Sequence, residues 1–266
     1  MRTAENILGC CVPVQRYAWT AAAGFDYAEL PAWQVAALDE GALAVLLEQK
    51  AALGVPVLRL NAYSAGDPAI VGPAADDERT RTYASVLMKK AAALGVETIG
   101  IGAPKARTLP EGYDRALADS QFARFLRVTA EEAAPYGITL LIESIQKDMC
   151  NYLNTMAEAR AMMERLALPG VRLLADLYHM ETQGEDWREL GAYLPDVRHV
   201  HVSTVGPGLA RGLYGAGDED ACFGAFRAIR AAGYSGTVSI EPDAGALTEE
   251  GMKTALRLMR RACGQR

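Results

Sequence analysis

Residues 136–143 read Tyr136-Gly137-Ile138-Thr139-Leu140-Leu141-Ile142-Glu143. A glycine closes the preceding helix in a left-handed cap, an apolar run rich in strand formers follows, and a carboxylate ends it. The same unit recurs on both sides. Ala-Leu-Gly at 52–54 and at 93–95, and Ala-Ala-Gly at 231–233, each end a segment with apolar residues at helical spacing and precede a short apolar run. Strands are expected at 7–12, 27–30, 55–61, 97–101, 138–143, 172–176, 197–203 and 236–241, and helices include 42–53, 78–94, 113–136 and 220–232. Helix, glycine, strand, repeated to eight strands, predicts a single-domain α/β fold, a (β/α)₈ barrel spanning 1–266. An open doubly wound sheet would carry Gly-x-Gly-x-x-Gly after its first strand, but residues 9–14 read Gly-Cys-Cys-Val-Pro-Val. No linker divides the chain, and the Gly/Pro-rich piece at 206–217 reads as a loop over one end of the barrel.

Barrel enzymes keep their chemistry where strands end and βα loops begin. Four consecutive strands here end in Glu143, Asp176, His201 and Glu241, each after an apolar run. Burying an unpartnered carboxylate costs several kcal/mol (roughly), so three acids at such positions are expected to share a cation. Three carboxylates and an imidazole suit a hard to borderline divalent ion, Mn²⁺ first, with Mg²⁺ or Co²⁺ as alternatives. A structural zinc would want thiolates, and none is positioned. His199 and His201 share one face of their strand, which makes His199 a core histidine one layer below. His179, three residues past Asp176, reaches over the site toward substrate; a solvent-facing histidine at a helix start is the plainer reading of it. Glu29 and Asn61 also end strands, as substrate contacts or, for Glu29, a loop cap. Trp19, Tyr63, Met149, Tyr178 and Tyr214 are candidate pocket walls or ordinary packing.

The composition narrows the partners. The 266 residues are 50% hydrophobic, with a formal net charge of −6, a sign that repels nucleic acid and anionic lipid. No stretch approaches the ~18 apolar residues of a membrane span. The five cysteines form no CxxC pair, and the first residues show no signal-peptide core. Reduced thiols in a soluble cytoplasmic protein are expected.

Taken together, the segments 136–143, 174–180 (Leu-Ala-Asp-Leu-Tyr-His-Met), 198–202 (Arg-His-Val-His-Val) and 233–241 resemble the sugar phosphate isomerase/epimerase family. These xylose-isomerase-like barrels include hydroxypyruvate isomerase and the ketose 3-epimerases, and the resemblance covers essentially the whole chain. It implies one divalent cation held at Glu143, Asp176, His201 and Glu241. It also implies substrate contacts from His179 and from Arg211, in Arg211-Gly212-Leu213-Tyr214-Gly215-Ala216-Gly217. A homo-oligomer is a further expectation, dimers and tetramers both being common in the family. The rim departs from the pattern. A second glutamate of the family is replaced by Met149, an Asn-Arg pair by Gln146-Lys147, and an aspartate two residues after the histidine ligand by Ser203.

The implied activity is metal-dependent isomerisation or epimerisation of a ketose or hydroxy-ketone through a metal-bound cis-enediolate. Glu143 and Glu241 would be the catalytic proton carriers, with His179 and Arg211 stabilising oxygen charge. The same intermediate could expel a β-substituent, which makes a lyase acting on a 3-keto glycoside the alternative. A trinuclear-zinc DNA-repair endonuclease of the same fold needs more than the three histidines present. A metal-binding regulatory subunit without catalysis is the remaining reading, and a complete acid/base pair argues against it.

Overall fold

A computed structural model describes residues 6–265. Eight parallel strands close a barrel: β1 (Ile7–Cys11), β2 (Tyr27–Pro31), β3 (Val57–Asn61), β4 (Thr98–Ile101), β5 (Thr139–Glu143), β6 (Val171–Asp176), β7 (Val197–Val202) and, after a small ribbon, β10 (Thr237–Ile240). They pair in sequence order, and β10 closes the ring against β1. In the ribbon, β9 (Arg211–Gly212) lies inside the loop expected at 206–217 and pairs with β8 (Thr204–Val205) just before it.

The helices are α1 (Tyr17–Ala23), α2 (Ala32–Ala37), α3 (Glu40–Leu53), α4 (Asp77–Leu94), α5 (Pro104–Arg107), α6 (Arg115–Ala133), α7 (Met156–Leu166), α8 (Leu177–Gln183), α9 (Glu219–Ala231) and α10 (Glu249–Cys263). Several start at side-chain caps. Asp39 accepts from the Ala42 amide and Asp76 from the Arg79 amide, both at 2.7 Å, and Thr155 with Glu158 forms a capping box. The cap also explains a shift against expectation: Asp114 caps α6, so the helix begins at Arg115 rather than at 113. It ends at Ala133, and a 3-10 turn over Ala134–Tyr136 carries Pro135, which has no amide to donate. β3 begins at Val57 rather than 55, after Pro56. None of the helices among the described residues is long and apolar enough to cross a membrane.

Outward-facing strand residues such as Leu140, Ile142, Val200 and Val202 are buried beneath the helices. The lumen is different. Tyr27, Glu29, Arg59, His199, Thr237 and Ser239 are polar and buried inside it, and Tyr27 Oη reaches over β1 to Ser239 Oγ at 2.8 Å. Gly9 makes that crossing possible, because a Cβ there would lie 2.3 Å from the Tyr27 ring. A polar lumen is tolerable only if its groups bond one another, and they do so in a chain leading to the strand ends.

Candidate functional site

Glu143 ends β5, Asp176 ends β6, His201 is the penultimate residue of β7, and Glu241 follows the last residue of β10. The parallel register sets Asp176 beside His201 and Ser239 beside His201, while the Glu241 amide donates to Val202 O at 2.9 Å. Strand pairing therefore brings four side chains from four elements to one point. One ligand atom from each lies within 4.8 Å of all the others. Glu143, Asp176 and His201 are buried at 4%, 0% and 0% exposure, while Glu241, its side chain 19% exposed, opens toward solvent.

His201 Nδ1 stands 3.2 Å from Glu241, 3.7 Å from Glu143 and 3.8 Å from Asp176, yet hydrogen-bonds none of them. A buried nitrogen without a partner, facing three carboxylates, is a donor set that could hold one shared cation. The residues present thus fit a divalent ion, with oxygen outnumbering nitrogen among its ligands.

The charges are balanced unevenly. Arg211 Nη2 lies 2.7 Å from both Asp176 Oδ2 and Glu241 Oε2, its Nε donates to Glu241 O at 3.0 Å, and its guanidinium stacks 4.5 Å above the Tyr178 ring. Burial raises Glu241, but Arg211 and His201 outweigh it and bring the carboxyl down to about 2. Glu143 has no such arginine. Burial, with the Glu241 and Asp176 charges nearby, pushes it up to about 7. His201 is also raised well above the usual imidazole value, because Glu29 and Glu241 overcome its burial. Two glutamates whose proton affinities are driven apart are the arrangement that acid–base chemistry uses.

A cavity of about 250 Å³ opens onto the cluster. Glu143, Glu241, His179, Arg211 and Asp243 form its polar side, and Ala62, Ala103, Pro104, Ile145, Met149 and Pro242 its apolar side. His179 lies 3.7 Å from Asp176 and 3.9 Å from Glu143. Burial lowers it to about 4, so the ring is neutral near pH 7. The solvent-facing reading of His179 does not hold, since the residue is 2% exposed.

Of the other aromatic and apolar candidates, Met149 lines the cavity. Tyr63 and Tyr214 are core, and Trp19 stacks with Arg16. Tyr178 backs Arg211 and is fixed by Gln146 at 3.0 Å. Asn61 donates to Glu241 Oε1 at 2.5 Å. Glu29 neither contacts the cavity nor caps a loop. It is fully buried below His201, where a shape-fitting acid on a strand looks no different in sequence.

One residue carried no sequence signal at all. Arg107 is fully buried, and its guanidinium donates to the carbonyls of Ile101 (2.9 Å), Gly102 (3.0 Å), Glu143 (2.8 Å), Tyr152 (2.8 Å) and Leu153 (3.2 Å). It ties the ends of β4 and β5 to the loop that carries Met149. Gly102 completes this arrangement, since a Cβ there would lie 2.3 Å from Glu143 Oε2.

Residues 17–262 match the family described as xylose isomerase-like TIM barrel. The ketose 3-epimerase of Arthrobacter globiformis is 28% identical over 228 residues, covering 84% of this chain and 74% of its own. The L-ribulose 3-epimerase of Mesorhizobium japonicum is 28% identical over 248 residues, covering 89% and 78%. Among solved structures, the 3-keto-D-glucoside 4-epimerase of E. coli superposes with a TM-score of 0.75 at 19% identity, over 97% of this chain and 100% of its own.

Proposed function

This chain belongs to the xylose isomerase-like TIM-barrel family, and on that premise we propose that it is a divalent-metal-dependent isomerase or epimerase of a small ketose or hydroxy-ketone. The observation that carries the reading is the convergence of Glu143, Asp176, His201 and Glu241 on one point at the wall of a sugar-sized cavity. Relatives named as ketose and L-ribulose 3-epimerases point to the same class of substrate.

A divalent ion held by these four residues, Mn²⁺ in the first instance, would polarise a substrate carbonyl and its neighbouring hydroxyl. The chain's own groups then move the proton. One of Glu143 and Glu241 takes it from the hydroxyl-bearing carbon next to the carbonyl, giving a cis-enediolate, and the other returns one. Return to the opposite face of that carbon is epimerisation; return to the adjacent carbon is aldose–ketose isomerisation. Arg211 and neutral His179 face the cavity as donors to the enediolate oxygens. Arg107 and Gly102 keep Glu143 in place.

Incubation of the protein and Mn²⁺ with a ketose in D₂O tests this. Deuterium should enter the carbon next to the carbonyl, and prior treatment with a chelator should prevent it. Full exchange by chelator-treated protein would refute the reading.

The apolar side of the cavity, with Met149 at its edge, favours one alternative at the same site: β-elimination from a 3-keto glycoside whose aglycone packs there. Release of free aglycone would distinguish it from epimerisation.

A further inference from the structure

Below the cation cluster runs a continuous buried hydrogen-bonded chain. Arg59, held 2.6 Å from Glu97 at the barrel floor, donates from Nε to Thr237 Oγ1 at 3.1 Å. Thr237 Oγ1 meets His199 Nδ1 at 2.8 Å, His199 Nε2 meets Glu29 Oε2 at 2.8 Å, and His201 Nε2 meets Glu29 Oε1 at 3.1 Å. Glu29, His199 and His201 are all 0% exposed, so the links through Glu29 are closed to bulk water.

The polarity of the chain is fixed at Glu29. His199 Nδ1 meets both the Thr237 hydroxyl at 2.8 Å and the Thr237 carbonyl at 3.0 Å, and that carbonyl can accept from Tyr234 at 3.0 Å and still take a second bond, so the Thr237 end allows either tautomer. An ionised Glu29 carboxylate only accepts, so at 2.8 Å His199 carries a hydrogen on Nε2 and gives it to Glu29. The second Glu29 oxygen is left for His201 Nε2–H. An ionised carboxylate accepts at both oxygens; no other side chain of this size accepts two such bonds at opposite ends.

We infer that Glu29 is a positioning residue for the metal centre: by accepting from both histidines it keeps a His201 hydrogen on Nε2 when an ion is bound, so that Nδ1 is the nitrogen given up to the ion beside Glu143, Asp176 and Glu241. The inference rests on the proposed cation site and assigns Glu29 a part in it without contact with ion or substrate. Cys11 Sγ, 4.0 Å from His201 Nε2, makes with Glu29 and His201 a second group of metal-type ligands. The hydrogen bonds already satisfy that carboxylate, so a second ion is not expected there.

The test compares the full-length protein with Glu29→Gln, in which one amide oxygen can accept from only one imidazole. Calorimetric titration with Mn²⁺ should show one ion per chain in both, bound about 10- to 100-fold more weakly by the variant. Proton NMR of the wild type loaded with diamagnetic Mg²⁺ should show two solvent-protected imidazole N–H signals, assigned to His199 and His201, and Glu29→Gln should lose one. Equal Mn²⁺ affinity within twofold would overturn the inference, as would a second ion that disappears in Cys11→Ala. Should Glu29→Gln fail to fold, the wild-type spectrum decides: two protected Nε2–H signals support the assignment, and a His201 signal from Nδ1–H overturns it. A wild type that binds no divalent ion would instead remove the cation site itself.

Discussion

The Arg211 guanidinium lies 2.7 Å from Glu241, while the Glu143 carboxylate makes no arginine ion pair, Arg107 reaching only its backbone carbonyl. A permanent cation thus holds one glutamate ionised, and burial leaves the other able to keep a proton. That difference gives two carboxylates of the same chemistry two separate tasks.

Replacement of Arg211 by Met should lower kcat/KM by about 10²- to 10³-fold, the range seen when one aimed donor to a developing oxyanion is lost. Mn²⁺ affinity should not fall, because the substitution removes a positive charge from the cluster. Steady-state kinetics beside a Mn²⁺ titration separate the two effects; a parallel loss of Mn²⁺ binding would place Arg211 in a purely structural role.

Glu143→Gln and Glu241→Gln should each reduce turnover by about 10²- to 10⁴-fold, the usual contribution of a positioned proton carrier. Circular dichroism should show an intact barrel, since both side chains end strands rather than fill the core. Exchange of substrate hydrogen with solvent within about tenfold of wild type in Glu241→Gln would remove that residue from the proton path.

Cation affinity should depend on pH in a stated direction. The proton on Glu143, with its value near 7, and the proton on His201, held well above the ordinary imidazole value, must both leave when an ion binds. Both groups are protonated in the free state and deprotonated in the bound one, so affinity rises with pH. Binding should release more protons below about pH 7 than above it, where Glu143 ionises by itself. Titrations in buffers of different ionisation enthalpy count these protons, and a pH-independent affinity would contradict the assignment.

Much of this was readable in the chain. Glycine caps after Leu53 and Leu94 and the apolar run before Glu143 fix the βα repeat, because cap and strand preferences are local. The four strand-end residues were equally visible, since an acid after an apolar run violates the pattern around it. Arg107 was not. It lies at the end of a four-residue helix, and its carbonyl partners come from segments up to 46 residues away, a relation that only closure of the barrel creates. Glu29 was visible as a strand acid, but its two histidine partners lie 170 and 172 residues away, and nothing local separates a buried acceptor from a pocket residue.

Arg107 carries a stability prediction for that reason. Arg107→Leu leaves buried carbonyls at the ends of β4 and β5 unsatisfied, at about 1–3 kcal/mol for each one that finds no water. Unfolding in urea should show a loss of about 3 kcal/mol or more at an unchanged m-value. A loss below 1 kcal/mol would mean that the loop after Glu143 is held in some other way.

Diffraction from Mn²⁺-soaked crystals at the manganese absorption edge addresses the central claim most directly. One anomalous peak is predicted, bonded by Glu143, Asp176, His201 and Glu241 at ordinary Mn–O and Mn–N distances. A peak elsewhere, or none at this point in protein that turns over its substrate, would contradict it.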